Sequence, residues 1–173
     1  MRWGRVLVVA AAVLALLSTG TASTAAAADD GVANRQAVPV ARGWPAQMLA
    51  TVNDLRGRAG VAPLRLCPLL SSAARSHARE MARTGAFSHV GSSGDTFMDR
   101  MVAAGYRART AGENLAAGQR TPTDAMAAWL ASPAHYAVLT NPRFRHVGFA
   151  LALAPTGEYR TFWVQDFAAG GRC

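Results

Sequence analysis

His89, Glu113 and His135 have side chains that can move protons or hold an ion, at positions that local structure does not explain; they lie 24 and 22 residues apart. Glu113 stands in Ala111-Gly112-Glu113-Asn114-Leu115-Ala116-Ala117-Gly118, where small and apolar neighbours surround one carboxylate and one amide. Both side chains are poor strand formers and costly to bury unpaired, so the stretch predicts a polar cluster rather than plain core. His89 opens the turn-rich loop Gly91-Ser92-Ser93-Gly94-Asp95, and His135 follows a break at Ser132-Pro133. Both imidazoles thus stand at element ends, where a side chain can enter a cleft. A buried carboxylate is relieved by a cation or by imidazole donors, so the three residues predict either a metal site or a hydrogen-bonded His-Glu-His set.

The other titratable residues have plainer readings. His77 falls on the apolar side of a helix and reads as a core histidine held by one hydrogen bond. Glu80 reads as a solvated helix charge, Glu158 as a turn charge, and His146, close to Arg143 and Arg145, as a surface residue. Met48, Met81, Met98, Met101 and Met126 fit ordinary core packing by their helical spacing. Ser88 adjoins His89 but lacks the flanking glycines of a nucleophile elbow, which disfavours a serine triad.

These residues need elements to position them. Trp44 opens a helix with Pro45 in its first turn, and Met48, Val52, Leu55 and Ala59 recur at helical spacing until Gly60. Residues 61–66 are extended. A second helix runs from about Pro68 to Thr84 and stops at Gly85. A short amphipathic helix passes through Phe97, Met101 and Val102 to Gly105. Thr121 and Pro122 have the residue types of an N-cap and first position for a fourth helix carrying Ala125, Met126 and Trp129. His135 starts another turn that ends at Asn141-Pro142. The period then changes: residues 147–153 and 159–167 alternate as two strands of a hairpin turned at Pro155-Thr156-Gly157-Glu158.

The 173 residues, 51% of them hydrophobic, suffice for one well-buried domain. Residues 1–28 have a basic start, an apolar run from Val6 to Leu17 and a small-residue stretch ending at Ala28, the pattern of a cleaved secretory signal peptide. Residues 29–43 lack periodicity and read as a disordered linker, so the domain spans 44–173. Export implies a secreted, extracellular and cell-wall-accessible protein without a stable membrane span after cleavage. All 18 basic residues are Arg; without Arg2 and Arg5, 16 face 10 acidic residues, a net charge of +6. They are scattered without interleaved aromatics, which argues against nucleic acid and leaves loose attraction to anionic wall polymers or lipid. In an exported chain the two cysteines, Cys67 and Cys173, predict one disulfide.

Ala86-Phe87-Ser88-His89, Ala111-Gly112-Glu113-Asn114-Leu115, Ala128-Trp129-Leu130-Ala131-Ser132-Pro133-Ala134-His135 and Phe162-Trp163-Val164-Gln165, in this order, resemble the CAP superfamily. That group comprises cysteine-rich secretory proteins, antigen 5 and plant pathogenesis-related proteins, and the chain is similar to its short bacterial branch from about Trp44 to Ala168. The resemblance implies an α+β fold, a three-layer α-β-α sandwich, with a cleft lined by two His and two Glu. His89, Glu113 and His135 would be three of these. Ser132 stands where many eukaryotic members carry the second Glu. Asn114 and Ser132 join the three as candidate cleft residues. Two imidazoles and one carboxylate form a three-ligand set for zinc or another divalent metal, but without a second Glu as general base; Asp95 and Asp166 are the other acidic candidates. The function implied is a non-enzymatic module binding a small hydrophobic, sterol-like or cell-envelope ligand, with a metal-dependent, peptidase-like hydrolase as the alternative.

Overall fold

The computed structural model describes residues 42–173; the expected signal peptide and all but the end of the expected linker lie outside the described residues. Five helices and four strands follow in the order α1 (Trp44–Arg58), β1 (Arg65–Leu66), α2 (Pro68–Thr84), α3 (Phe97–Ala103), β2 (Thr110–Ala117), α4 (Pro122–Leu130), α5 (Pro133–Leu139), β3 (His146–Leu153) and β4 (Thr161–Ala169). The strands form one sheet in the order β1-β3-β4-β2, parallel between β1 and β3 and otherwise antiparallel.

Strand alternation divides the core into layers. Trp163 and Phe167 of β4 face α1, α4 and α5, packing with Met48, Val52, Met126, Trp129 and Leu139. Phe162 and Val164 face the other way, against Ala74, Ala78 and Met81 of α2. A third cluster joins Leu70 and Ala73 of α2 to Met101 of α3 and Tyr106. The architecture is therefore an α-β-α sandwich.

Local signals set the helix ends. Thr121 accepts from the Asp124 amide while Asp124 Oδ2 accepts from the Thr121 amide, a capping box that starts α4 with Pro122 at its first position. Thr96 and Asp99 do the same for α3. Gly85 closes α2 at a φ of 75°, a conformation that suits glycine. The hairpin strand β4 begins at Thr161, two residues later than the alternation suggests, because the turn is longer: Ala154 N–H donates to the Arg160 carbonyl. Cys67, buried at the start of α2, is bonded to Cys173.

Two residues depart from their expected settings, and a third is a buried arginine. His146 is not a plain surface residue: it is half-buried, its Nδ1 is 2.8 Å from the Tyr106 hydroxyl, and burial and the Arg65 charge lower its pKa. Glu80 is more than a solvated charge, since its Oε1 accepts from both the amide and the hydroxyl of Ser92 and so ties α2 to the following loop. Arg56 lies wholly buried in α1 and donates to the carbonyls of Ala62, Leu139 and Asn141. His77 keeps its expected core role: it is 1% exposed, with Nε2 2.7 Å from the Ser88 carbonyl.

Candidate functional site

The stretch around Glu113 forms β2, an edge strand. Tertiary pairing outweighs its modest strand propensity, because the whole strand pairs with β4 and lies between two helical layers. Alternation sends Glu113 and Leu115 to the α2–α3 side and Asn114 and Ala116 to the α1–α4–α5 side. The candidate residues therefore meet around the strand's edge rather than on one face of the sheet.

On the α2–α3 side, Arg100 of α3 is the organising cation. Its Nη2 donates to Glu113 Oε2 at 2.9 Å and to the His89 carbonyl at 3.1 Å, while Nη1 donates to Asp95 Oδ2 at 3.1 Å. His89 Nδ1 lies 2.8 Å from Glu113 Oε1. Glu113's side chain is fully buried and that of His89 is 54% exposed. A carboxylate oxygen can only accept, so Nδ1 carries the proton. In the neutral ring Nε2 then keeps its lone pair.

Asp166 stands directly across from Glu113 in the β2–β4 register and is wholly buried. Neither of its oxygens has a donor. Burial first, then the Glu113 charge, push its carboxyl well above the ordinary value, against the opposing pull of Arg100. The charges explain this: a single guanidinium faces Asp95, Glu113 and Asp166, and the ionised form of the wholly buried Asp166 is disfavoured.

On the other side, Asn114 Nδ2 donates to Gln165 Oε1 at 3.2 Å and to the His135 carbonyl at 3.4 Å, linking β2 to α5. His135 lies in the first turn of α5, with Nδ1 buried and unpartnered. Burial and the nearby His89 charge lower its pKa, which favours the neutral ring. Ser132 is the N-cap residue of α5, but its hydroxyl does not cap the helix. Ser88 Oγ accepts from the Val90 amide, which gives that hydroxyl a turn role beside His89.

The structure gives Glu113 other partners than a metal ion. Both oxygens of Glu113 are committed, one to His89 and one to Arg100, and a divalent ion there would sit against a guanidinium. Among the described residues, no three His, Cys, Asp or Glu side chains group so as to hold an ion. Glu113 instead orients His89, as carboxylates orient imidazoles elsewhere. The arrangement is a hydrogen-bonded His89-Glu113-Arg100 set with His135 nearby.

Next to His135 lies an open groove of about 230 Å³ lined by Phe87, Leu115, Trp129 and Tyr159 among others. Phe87 is 48% exposed, and its ring packs on Tyr159 with centroids 6.2 Å apart. Trp129 Nε1 donates to the Leu115 carbonyl at 2.9 Å, which joins the groove floor to the edge of β2.

The roles of Arg100, Gln165 and Tyr159 and the placement of Asp166 opposite Glu113 escape sequence reasoning. Arg100 is one of 18 arginines and sits on a short amphipathic helix with no local mark. Asp166 could have been found from register, since pairing the Glu113 stretch with the last strand places the two carboxyls opposite each other.

Comparison with known proteins agrees with this architecture. The chain is 31% identical over 121 residues to the uncharacterized protein YkwD of Bacillus subtilis, covering 70% of this chain and 45% of that protein. It is 28% identical to the uncharacterized membrane protein YlbC of the same organism, covering 70% of this chain and 33% of that one. It thus spans less than half the length of either relative. An extracellular SCP-domain protein of Bacillus anthracis superposes with a TM-score of 0.64 at 27% identity, over 72% of this chain and 40% of that one. An outer surface protein of Borrelia burgdorferi, at 20% identity and a TM-score of 0.65 over 73% of this chain and 92% of that one, shares the fold. The profile of the cysteine-rich secretory protein family, CAP, matches residues 49–167, most of the domain whose His89-Glu113 pair has just been described, and the chain belongs to that family.

Proposed function

We propose that the domain is an exported binding module that takes the apolar part of a lipid-like or cell-envelope ligand into the groove beside His135. The groove itself is the observation that carries this reading: aromatic walls from Phe87, Trp129 and Tyr159 stand beside a neutral-leaning imidazole. Pockets that enclose whole small molecules run from roughly 300 Å³ upward. At about 230 Å³ the groove suits one ring or a short chain rather than an entire sterol. His89, half-exposed with Nδ1 held by Glu113, is placed to meet a polar end of the ligand. Export is supported by the amino-terminal pattern and by the extracellular description of the Bacillus anthracis protein.

Binding is favoured over hydrolysis because Glu113 is spent on Arg100 and His89, and Asp166 is wholly buried, out of reach of a ligand in the groove. Neither carboxyl is available as a general base. The test uses cis-parinaric acid, a fluorescent fatty acid, titrated into the protein and into a Phe87→Ser, Tyr159→Ser variant. Loss of both rings is expected to weaken binding roughly 10-fold or more. Equal affinity for the two proteins, or no binding by either, overturns the reading.

A further inference from the structure

Helix α2 has a second face. Its inner side packs on the sheet through Leu70, Ala74, Ala78 and Met81. Contrary to the expectation of scattered arginines, Arg75, Arg79 and Arg83 recur at four-residue intervals on its outer side, all exposed, about 6 Å apart along the axis. Like charges at this spacing repel and weaken a helix. Among the described residues, none of the three joins an ion pair. Glu80, the carboxylate beside them, points to the 91–95 loop, where Ser92 occupies its Oε1. The three arginines with Glu80, Ser72 and Ser76 border a surface groove of about 540 Å³ that has no apolar side chain in its lining.

We propose that this face of α2 is a docking track for a linear polymer of phosphate groups. Each guanidinium presents paired donors that match phosphate oxygens. Ser72 and Ser76, also four apart, add hydroxyl donors beside the arginine row. Three cations in line span about 12 Å, which suits an extended chain of repeating anions better than one isolated anion. A membrane surface fits less well. The neighbouring apolar shelf of Leu151, Leu153 and Pro155 borders Arg79 and Arg83 alone, while the groove that holds all three arginines is polar. The track shares no lining residue with the groove beside His135.

The test measures binding of short-chain linear polyphosphate by the exported protein across a salt series. Three phosphate contacts predict a slope of about −2 for log K against log salt. Replacing the ladder (Arg75→Ala, Arg79→Ala, Arg83→Ala) is expected to weaken binding roughly 10- to 100-fold and flatten the slope. A control lacking three other exposed arginines (Arg107→Ala, Arg120→Ala, Arg143→Ala) has the same net charge and is expected to bind polyphosphate much as the unaltered protein does. Because all six positions are exposed, thermal melts should match, and cis-parinaric acid binding should be unchanged in the ladder variant. Equal losses in the two triple variants would show that net charge alone is responsible and overturn the proposal. Binding to phosphatidylglycerol vesicles without binding to polyphosphate would overturn it in favour of a membrane.

Discussion

Arg100 stands among three carboxyls, and the way it distributes its donors sets the state of each. Asp95 and Glu113 receive its hydrogen bonds, and Asp166, which receives none, has its carboxyl pushed well above the ordinary value by burial and the Glu113 charge. Folding therefore takes up a proton at Asp166. The stability that this provides is complete below the unfolded value near 3.8 and is lost as pH rises through the raised folded value. His135 has the opposite sign: its contribution is present above the ordinary value of 6.5 and is lost as pH falls through its lowered folded value. Asn at position 166 has nearly the same shape and is neutral at every pH. Asp166→Asn is thus expected to gain about 1 kcal/mol near pH 7 and to flatten the stability decline above pH 4. Asp166→Ala, which leaves a void, is expected to lose stability. Urea melts of the three proteins across pH check this; an Asn variant less stable than the parent at neutral pH contradicts the upward shift at Asp166.

At the scale of elements, the site depends on how closely α2 lies on the sheet. Gly148 of β3 is opposite Asp166 in the β3–β4 register, and a Cβ there would overlap the backbone of Leu70 and Ser71. The absent side chain lets the first turn of α2 rest against β3, which in turn sets where the loop beyond α2 delivers His89. The obstacle is backbone rather than a flexible side chain, so Gly148→Ala is expected to cost about 3 kcal/mol, at the upper end of overpacking effects. The helix must shift, and the His89-Glu113 hydrogen bond should loosen with it. Chemical denaturation gives the first quantity and imidazole proton resonances give the second. A variant as stable as the parent would contradict the close approach.

For the molecule as a whole, the Cys67–Cys173 bond joins the start of α2 to the segment beyond β4 across 106 residues of sequence. The sheet and both helical layers pack without it. Cys173→Ser should therefore fold, with a stability loss of about 2 to 4 kcal/mol and a midpoint lower by roughly 10 °C. Calorimetry under non-reducing conditions tests this, and an unchanged midpoint would show that the bond does not constrain the unfolded chain.

Much of this architecture is local and so could be read from the sequence. Pro68, Gly85, Thr121, Pro122 and the Ser132-Pro133 break act within a turn of their own positions, and the structure has helix boundaries there. The alternation of residues 147–153 likewise fixes a strand, because side-chain period is a property of the chain itself. The two cysteines, read as one disulfide, are bonded to each other. Partner choice among distant side chains is different. Glu113 was recognisable as a carboxylate needing relief, yet an arginine on α3 supplies that relief, and nothing near Arg100 in the chain marks it out from the other arginines. Arg100 takes one oxygen of Glu113 and His89 the other, a division of partners that no spacing in the chain announces. The upward shift at Asp166 depends on complete burial and on β2–β4 register, and only the assembled layers create that low-dielectric setting.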